Sequence, residues 1–103
     1  MSTDLDLETT AFTEESVTVA DSAATLTAAT YAPSNAPAAR AAVLQLETAQ
    51  IRYWRSGATP TALLGHLMNV GDIIRLIGPA EIANFKAIRT GGTSGTLRVT
   101  YER

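Results

Sequence analysis

The chain has 103 residues, of which 17% are charged and none is cysteine. This length allows one domain with a modest core, and the lack of cysteine excludes disulfides and thiolate metal sites. The N-terminus has neither a basic start nor an apolar run, and no stretch approaches the ~18 apolar residues of a membrane span. We therefore expect a chain without a signal peptide and without a membrane partner.

The formal net charge of −2 is unevenly distributed. Residues 1–39 contain six acidic residues and no Lys or Arg, whereas residues 40–103 contain eight basic and four acidic residues, which gives −6 against +4. Because opposite charges attract, the two halves are predicted to bind each other or a neighbouring copy of the chain.

Residues 1–13 have the composition of an arm. They are acidic, contain no Gly or Pro, and carry isolated apolar residues at Leu5, Leu7 and Phe12. A polar terminus of this kind is often a solvated tail. The alternation of acids and leucines also suits an extended segment that lies along a neighbour's sheet edge and places its leucines in pockets. Both interpretations stay open, and we predict an extended or flexible acidic arm at 1–13 before a folded domain at 14–103.

The first part of the domain is predicted to contain two strands and a loop. Valine and threonine alternate over residues 16–19, and an alternating pattern returns at residues 24–27. Residues 29–39 contain two prolines and several small polar residues, which predicts a loop across one end of the domain. The ring of Tyr31, within this loop, is expected to pack on the domain, and the alternative is a contact residue on the surface.

Residues 40–47 contain good helix formers, but their leucines alternate with polar residues, which favours a strand. A second alternating run follows at residues 50–54, with Ile51 and Tyr53 on the face toward the core. The short spacer at residues 48–49 predicts an antiparallel hairpin between the two strands.

Turn signals separate the next elements. Gly and Pro at residues 56–60 end the preceding strand, and an apolar run at residues 62–68 is interrupted by Gly65, which predicts a strand with a bulge or a bend at the sandwich edge. Residues 69–72 have the composition of a tight turn. They lead into a predicted strand at residues 73–77.

One segment interrupts the β pattern. Pro79 near the first helical position and Glu81 in the first turn predict a short helical turn near 79–84, with Ile82 facing the core. A predicted strand at residues 85–90 follows this turn.

The C-terminal residues complete the pattern. Residues 91–95 are predicted to form a glycine-rich hairpin loop. Residues 96–102 alternate cleanly, with Leu97, Val99 and Tyr101 facing inward. Seven or eight short strands without a long amphipathic helix predict an all-β fold, a small antiparallel β-sandwich of immunoglobulin-like or jelly-roll-like type.

The residues that carry chemistry in other proteins are sparse here. His66 is the only histidine, so a cluster of several histidines around a metal is impossible. A Ser-His-Asp arrangement that uses Asp72 is formally available, but no spacing indicates a nucleophile, a base and an oxyanion hole that converge. The loop at 91–95 lacks the lysine and the following helix of a phosphate-binding loop. We predict no catalytic, metal or cofactor site, and a protein that is not an enzyme.

Three residues beside the Gly-Pro turn form a candidate contact patch: Arg52, Trp54 and Arg55. The mild positive charge of the second half and the absence of recognised aromatic-basic RNA motifs argue against a nucleic-acid partner. Arginine and tryptophan are enriched at protein interfaces. Trp54 is expected either to lie under a neighbouring loop or to be an exposed anchor for a partner or a sugar.

Two motifs resemble a pattern found in glycosidases. The stretch I-R-Y-W-R-S-G-A-T-P-T at residues 51–61, followed by F-K-A-I-R-T at residues 85–90, is similar to the small sandwich domains at the C-terminal end of chitobiase-like glycosidases. Ser56 stands where that pattern has aspartate. The resemblance implies an immunoglobulin-like accessory sandwich without catalytic residues.

A longer part of the chain, from about residue 26 to residue 103, resembles small virion proteins of tailed bacteriophages. Their C-terminal halves read similarly to I-R-Y…G-x-x-P-T…G-H-L…G-D…I-x-x-F-K-A-I-R-T-G…L-x-V-T-Y, which is present here. This resemblance implies a structural role in a virion, and neither pattern contains a catalytic residue to transfer.

We therefore expect a phage capsid decoration or cement protein. It would be made in the host cytoplasm and bind the outside of the phage head through the major capsid protein or other virion proteins, as a homo-oligomer or in many copies. The alternatives are a head-tail connector, tail or fibre protein, and a carbohydrate-binding accessory module. No cofactor, nucleic acid or membrane enters any of these roles.

Overall fold

A computed structural model describes residues 9–103. Over that range the chain forms eight strands and two short helices. The strands are β1 (Ala11–Val19), β2 (Ala24–Thr25), β3 (Ala41–Glu47), β4 (Ile51–Trp54), β5 (His66–Met68), β6 (Ile73–Ile77), β7 (Lys86–Arg89) and β8 (Gly95–Glu102). The helices are α1 (Ala28–Tyr31) and α2 (Pro79–Asn84).

The strands form two antiparallel sheets of four. Sheet 1 has the order β1-β8-β3-β6, and sheet 2 has the order β2-β7-β4-β5. Every connection except β4 to β5 therefore passes from one sheet to the other. Eight strands arranged in this way form a jelly roll. The predicted all-β sandwich is confirmed, and of the two types expected the strand order corresponds to the jelly-roll-like one.

Both predicted hairpins are wrong. β3 ends at Glu47 in sheet 1 and β4 begins at Ile51 in sheet 2, so the three residues between them cross the sandwich. The glycine-rich loop after β7 crosses in the opposite direction to β8. A short turn and a sheet crossing have the same composition, and the alternation of side chains does not reveal which sheet a strand joins.

The core lies between the inward faces of the two sheets. Alternate residues of β3 and β8 are fully buried there, as the sequence pattern predicts. The large side chains that are fully buried in this core include Tyr101, Phe85, Leu44, Leu46, Ile51, Met68, Leu76, Ile82, Leu97 and Val99.

The first strand begins before the predicted domain boundary at residue 14. β1 starts at Ala11, and Thr10 exchanges two backbone hydrogen bonds with Arg103, at N···O distances of 3.0 and 3.1 Å. Phe12 is half-buried and packs against the core. The sandwich therefore includes the last residues of the segment predicted as an arm, because β8 offers them an antiparallel partner.

Two local predictions near the helices also have clear outcomes. The predicted loop at 29–39 is only partly a loop, because residues 29–31 belong to α1. The Tyr31 ring packs against the Tyr101 ring at 5.9 Å between centroids, so the expected packing of Tyr31 is confirmed. α2 occupies the predicted position, with Pro79 at its first turn and Ile82 buried.

The predicted strand at 62–68 is much shorter in the structure. Only β5, His66–Met68, is a strand, because Thr61 and Leu64 close a turn through reciprocal backbone hydrogen bonds. Gly65 follows this turn at φ +135°. The interrupting glycine thus ends a turn rather than marking a bulge.

Candidate interaction surfaces

Exposed apolar side chains are concentrated in one part of the described chain. The large hydrophobic residues that are exposed in residues 9–103 have exposed fractions from 45% to 87% and all lie between residues 63 and 77. This apolar strip consists of Leu63, Leu64, Leu67, Val70, Ile73 and Ile77. Large apolar side chains that stay exposed near one another commonly mark a site of protein contact.

The apolar strip follows one side of the sandwich. β5 and β6 are the outermost strands of their sheets at this side, and the turn at residues 69–72 joins them. That turn is held by the Asp72 carboxylate, which accepts a hydrogen bond from the Asn69 amide at 2.8 Å. The strip is therefore mounted on two sheet edges and a fixed turn.

The outer edge of β6 has backbone groups directed away from the sheet. Gly78 N–H donates to Arg40 and the Asp72 carbonyl accepts from Leu46, so these two positions face β3. Because the direction of amides alternates along a strand, Ile73 and Arg75 direct their backbone groups to the outside. The next such donor, Ile77 N–H, is bound by the Glu81 carboxylate at 3.0 Å.

Trp54 and Arg55, two residues of the candidate contact patch, line the same pocket. It is an open pocket of ≈ 490 Å³ that Ser56, His66 and Glu81 also line. The Trp54 ring meets the His66 ring edge-on at 5.1 Å, and the Arg55 guanidinium lies 3.9 Å from the Glu81 carboxylate. Trp54 is half-buried, so its ring forms a wall of this pocket.

Arg52, the third residue of that patch, has an internal role. Its guanidinium donates to the Ala62 carbonyl at 3.2 Å and to the Gly65 carbonyl at 2.9 Å. Arg52 therefore holds the turn that presents Leu63 and Leu64 at the surface. Its contribution to an interface is to position the apolar strip.

His66 belongs to a row of aromatic rings. Tyr53 lies directly opposite His66 in the β4–β5 pairing, with the ring centroids 5.4 Å apart, and Tyr53 stacks on buried Phe85 at 5.6 Å. Packed rings of this kind prefer tilted and offset contacts. The row connects the pocket at Trp54 to the core.

The three apolar residues predicted as arm contacts have different positions. Phe12 lies in β1 with the Arg103 guanidinium 4.1 Å above its ring centroid, which is a cation–π contact. Leu5 and Leu7 lie outside the described residues.

Charged side chains form a polar surface on the outer face of sheet 1. Arg75 pairs with Glu102 at 2.8 Å and Arg98 pairs with Glu47 at 3.0 Å. Hydrogen bonds from Arg75 and from the Thr9 hydroxyl hold the pKa of the Glu102 carboxyl below its ordinary value of 4.5. The ion pairs found in residues 9–103 all join members of the positively charged second half to one another.

Glu15, an acid of the first half, has a partner that sequence reasoning missed. The buried Tyr101 hydroxyl donates to the Glu15 carboxylate, which also accepts the Thr27 amide at 3.1 Å. Burial is the main reason why the pKa of the Tyr101 phenol is raised above its ordinary value of 10.0, and the hydrogen bond to Glu15 raises it further. A buried tyrosine hydroxyl usually has a hydrogen-bond partner, so the inward position of Tyr101 in the sequence pattern could have predicted one.

The apolar strip was also missed, because its residues were assigned to strands and to a turn without asking which of them stay exposed. Leu63 with Leu64, Ile73 with Ile74, and Leu76 with Ile77 are adjacent apolar pairs. Neighbouring side chains of a strand point to opposite faces, so one member of each pair in β6 must face outward. Paired apolar residues at strand positions were the signal for this surface.

No protein-family model, curated protein or solved structure matches this chain. Within residues 9–103, no group of three or more His, Asp or Glu side chains is placed to hold a metal ion. Neither of the helices described is long and apolar enough to cross a membrane.

Proposed function

We propose that this chain is a non-enzymatic structural protein of a tailed-bacteriophage virion, a decoration or cement protein that binds the outside of the head. The observation that carries the proposal is the apolar strip along β5 and β6. The resemblance of residues 26–103 to small phage virion proteins supplies the virion context. Since a jelly roll hosts many functions, the proposal depends on this surface and not on the fold.

The apolar strip is suited to attachment in many copies. Leu63 and Leu64 are held outward by the Arg52 hydrogen bonds, so their burial requires little further ordering of the backbone. Full burial of one leucine contributes ~1.5–3 kcal/mol. Repetition over a capsid lattice converts modest individual contacts into stable attachment. The major capsid protein is the proposed partner.

A co-sedimentation experiment tests this role. Fluorescently labelled protein is mixed with purified heads of the phage that encodes it, and the strip variant Leu63→Ser/Val70→Ser is compared with wild type. Removal of two exposed apolar side chains is expected to abolish co-sedimentation. The control Ser16→Ala/Thr18→Ala changes exposed residues of β1 and should bind normally. If the strip variant binds heads as well as wild type does, the apolar strip is not the attachment surface and the proposal loses its support.

Micrographs of the labelled particles separate the decoration role from the connector, tail and fibre alternatives. A decoration protein is expected over the whole shell. Label confined to one vertex or to the tail would assign the chain to a connector or tail structure instead.

The pocket at Trp54 favours a second candidate, a carbohydrate-binding module. Sugars bind proteins through an aromatic wall together with a small number of polar groups, and the pocket combines Trp54 with Arg55 and Glu81. A glycan array tests this candidate: wild type should retain specific glycans and Trp54→Ala should lose them. An array without a wild-type signal would eliminate it.

A further inference from the structure

The outer edge of β6 is an acceptor for an additional strand. Among the described residues β6 pairs with β3 alone, and the backbone groups of Ile73 and Arg75 point outward. On the inner face of the same strand, Leu76 is buried and Ile74 is only half-buried against the core. A further strand at this edge would complete the backbone hydrogen bonds and cover Ile74.

Residues 4–8 have the pattern that this edge requires. They read Asp-Leu-Asp-Leu-Glu, so in an extended conformation Leu5 and Leu7 share one face and the three acids share the other. Leucines on the inner face would lie beside Ile74 and Leu76. The acids would then lie on the outer face of the sheet, where Arg75, which also pairs with Glu102 at 2.8 Å, is the cation of β6.

The length of the segment decides which copy accepts it. Thr10 pairs with Arg103 and the Thr9 hydroxyl donates to Glu102, so the segment before residue 9 is attached to the sandwich at the position of β1, at the opposite edge of sheet 1 from β6. The added strand would lie four strand spacings away, or ~19 Å. Crossing that distance takes about six extended residues at ~3.3 Å each, which consumes residues 4–8. Residues 4–8 therefore cannot form a strand at the β6 edge of their own copy, but they can reach the β6 edge of a neighbouring copy.

We propose that residues 4–8 of one copy add as a strand to the free edge of β6 in a second copy of this chain. Leu5 and Leu7 extend the neighbour's core beside Ile74, and an acid of the segment faces Arg75 across the junction. Each copy donates at one edge of sheet 1 and accepts at the other, so the contact is head-to-tail and builds a closed ring or an open chain. This self-association does not depend on the proposed capsid role.

The mass of the full-length protein in solution tests the contact. Light scattering coupled to size exclusion should give a mass above the 10.9 kDa of one chain. Leu5→Ser/Leu7→Ser should raise the dissociation constant at least ~100-fold, since two buried leucines are removed. The strip variant Leu63→Ser/Val70→Ser is the matched control and should associate like wild type. A monomeric wild type at the highest soluble concentration, or equal weakening by both variants, would overturn the proposal.

Cross-linking identifies the donor and the acceptor directly. The chain has no cysteine, so single thiols can be introduced at chosen positions. A Leu7→Cys protein is mixed with an Ile74→Cys protein and treated with a short bismaleimide; cross-linked heterodimer is expected. The control partner is Thr18→Cys, an exposed position on β1. If the Ile74→Cys mixture gives no more heterodimer than the Thr18→Cys mixture, the segment does not bind this edge.

Discussion

At the scale of single residues, the most constrained polar group described is the hydroxyl of Tyr101. The ring is fully buried beneath Tyr31, and the hydroxyl donates to Glu15 on β1. A hydrogen bond to a charged group contributes more than one between neutral groups. This contact joins β1 to β8 from within the sandwich, in addition to the backbone ladder.

Tyr101→Phe should lower the free energy of unfolding by about 1.5–3 kcal/mol, because it removes a hydrogen bond to a carboxylate. Since the folded state raises the pKa of Tyr101, its contribution is present below the ordinary pKa of 10.0 and is lost as the pH rises above it. Urea unfolding from about pH 8 to about pH 11 measures both effects. The difference from wild type should be largest at the lower pH and shrink as the pH rises. A difference that grows with pH would contradict the assignment.

Glu102 should contribute at the opposite end of the pH range. Its pKa is lowered by hydrogen bonds from Arg75 and Thr9, so the contribution is present above the ordinary value of 4.5 and lost as the pH falls through the lowered value. We expect Glu102→Gln to destabilise the protein by up to ~1 kcal/mol near pH 7, as is usual for exposed ion pairs. In guanidinium unfolding near pH 2 the two proteins should converge. If the difference in unfolding free energy persists near pH 2, the substitution acts through packing and not through the charge of Glu102.

At the scale of elements, the turn between β4 and β5 determines where the apolar strip begins. Arg52 donates to two carbonyls of this turn. Gly65 has a positive φ, and a Cβ at this position would lie 3.2 Å from both the Tyr53 carbonyl oxygen and the Arg52 Cβ. The turn is thus specified by a cation on β4 and by a position where a side chain does not fit.

Gly65→Ala should destabilise the protein by about 1–3 kcal/mol through backbone strain, with close contacts in addition. The matched control is Gly91→Ala, where the added Cβ meets nothing within 4 Å and φ is not in the positive region. Thermal unfolding followed by circular dichroism should show a lower midpoint temperature for Gly65→Ala and almost no change in the midpoint temperature for Gly91→Ala. Equal midpoints for both would show that the turn relaxes without cost.

At the scale of the whole molecule, the buried core and the exposed apolar strip are separate parts of the sandwich. The buried residues lie between the sheets, whereas the apolar strip lies along β5, β6 and their connecting turns. Residues of the strip have high exposure and contribute little area to the core. Substitutions in the apolar strip can therefore alter this surface without unfolding the domain.

The strip variant Leu63→Ser/Val70→Ser should therefore unfold within about 0.5 kcal/mol per substitution of wild type, as is usual for surface changes. Its binding of the dye ANS should decrease, because exposed apolar surface is removed. Chemical unfolding and dye fluorescence measure the two quantities in one preparation. A loss of stability comparable to that of a core substitution would show that these side chains are packed.

The sequence by itself determined most of the strand segments and the position of α2. Alternation over residues 96–102 placed Leu97, Val99 and Tyr101 in the core, and Pro79 with Glu81 located α2. These predictions succeeded because a strand buried on one face has a period of two, and the start of a helix has its own residue preferences.

Only the tertiary structure decided which sheet each strand joins, and with it which apolar side chains stay exposed. The three residues after β3 cross the sandwich instead of forming a hairpin, and Arg52 binds carbonyls of a turn ten and thirteen residues away in sequence. Such choices depend on pairing between distant segments. Local alternation records only that one face of a strand is buried, not which strand lies beside it or whether its edge stays open.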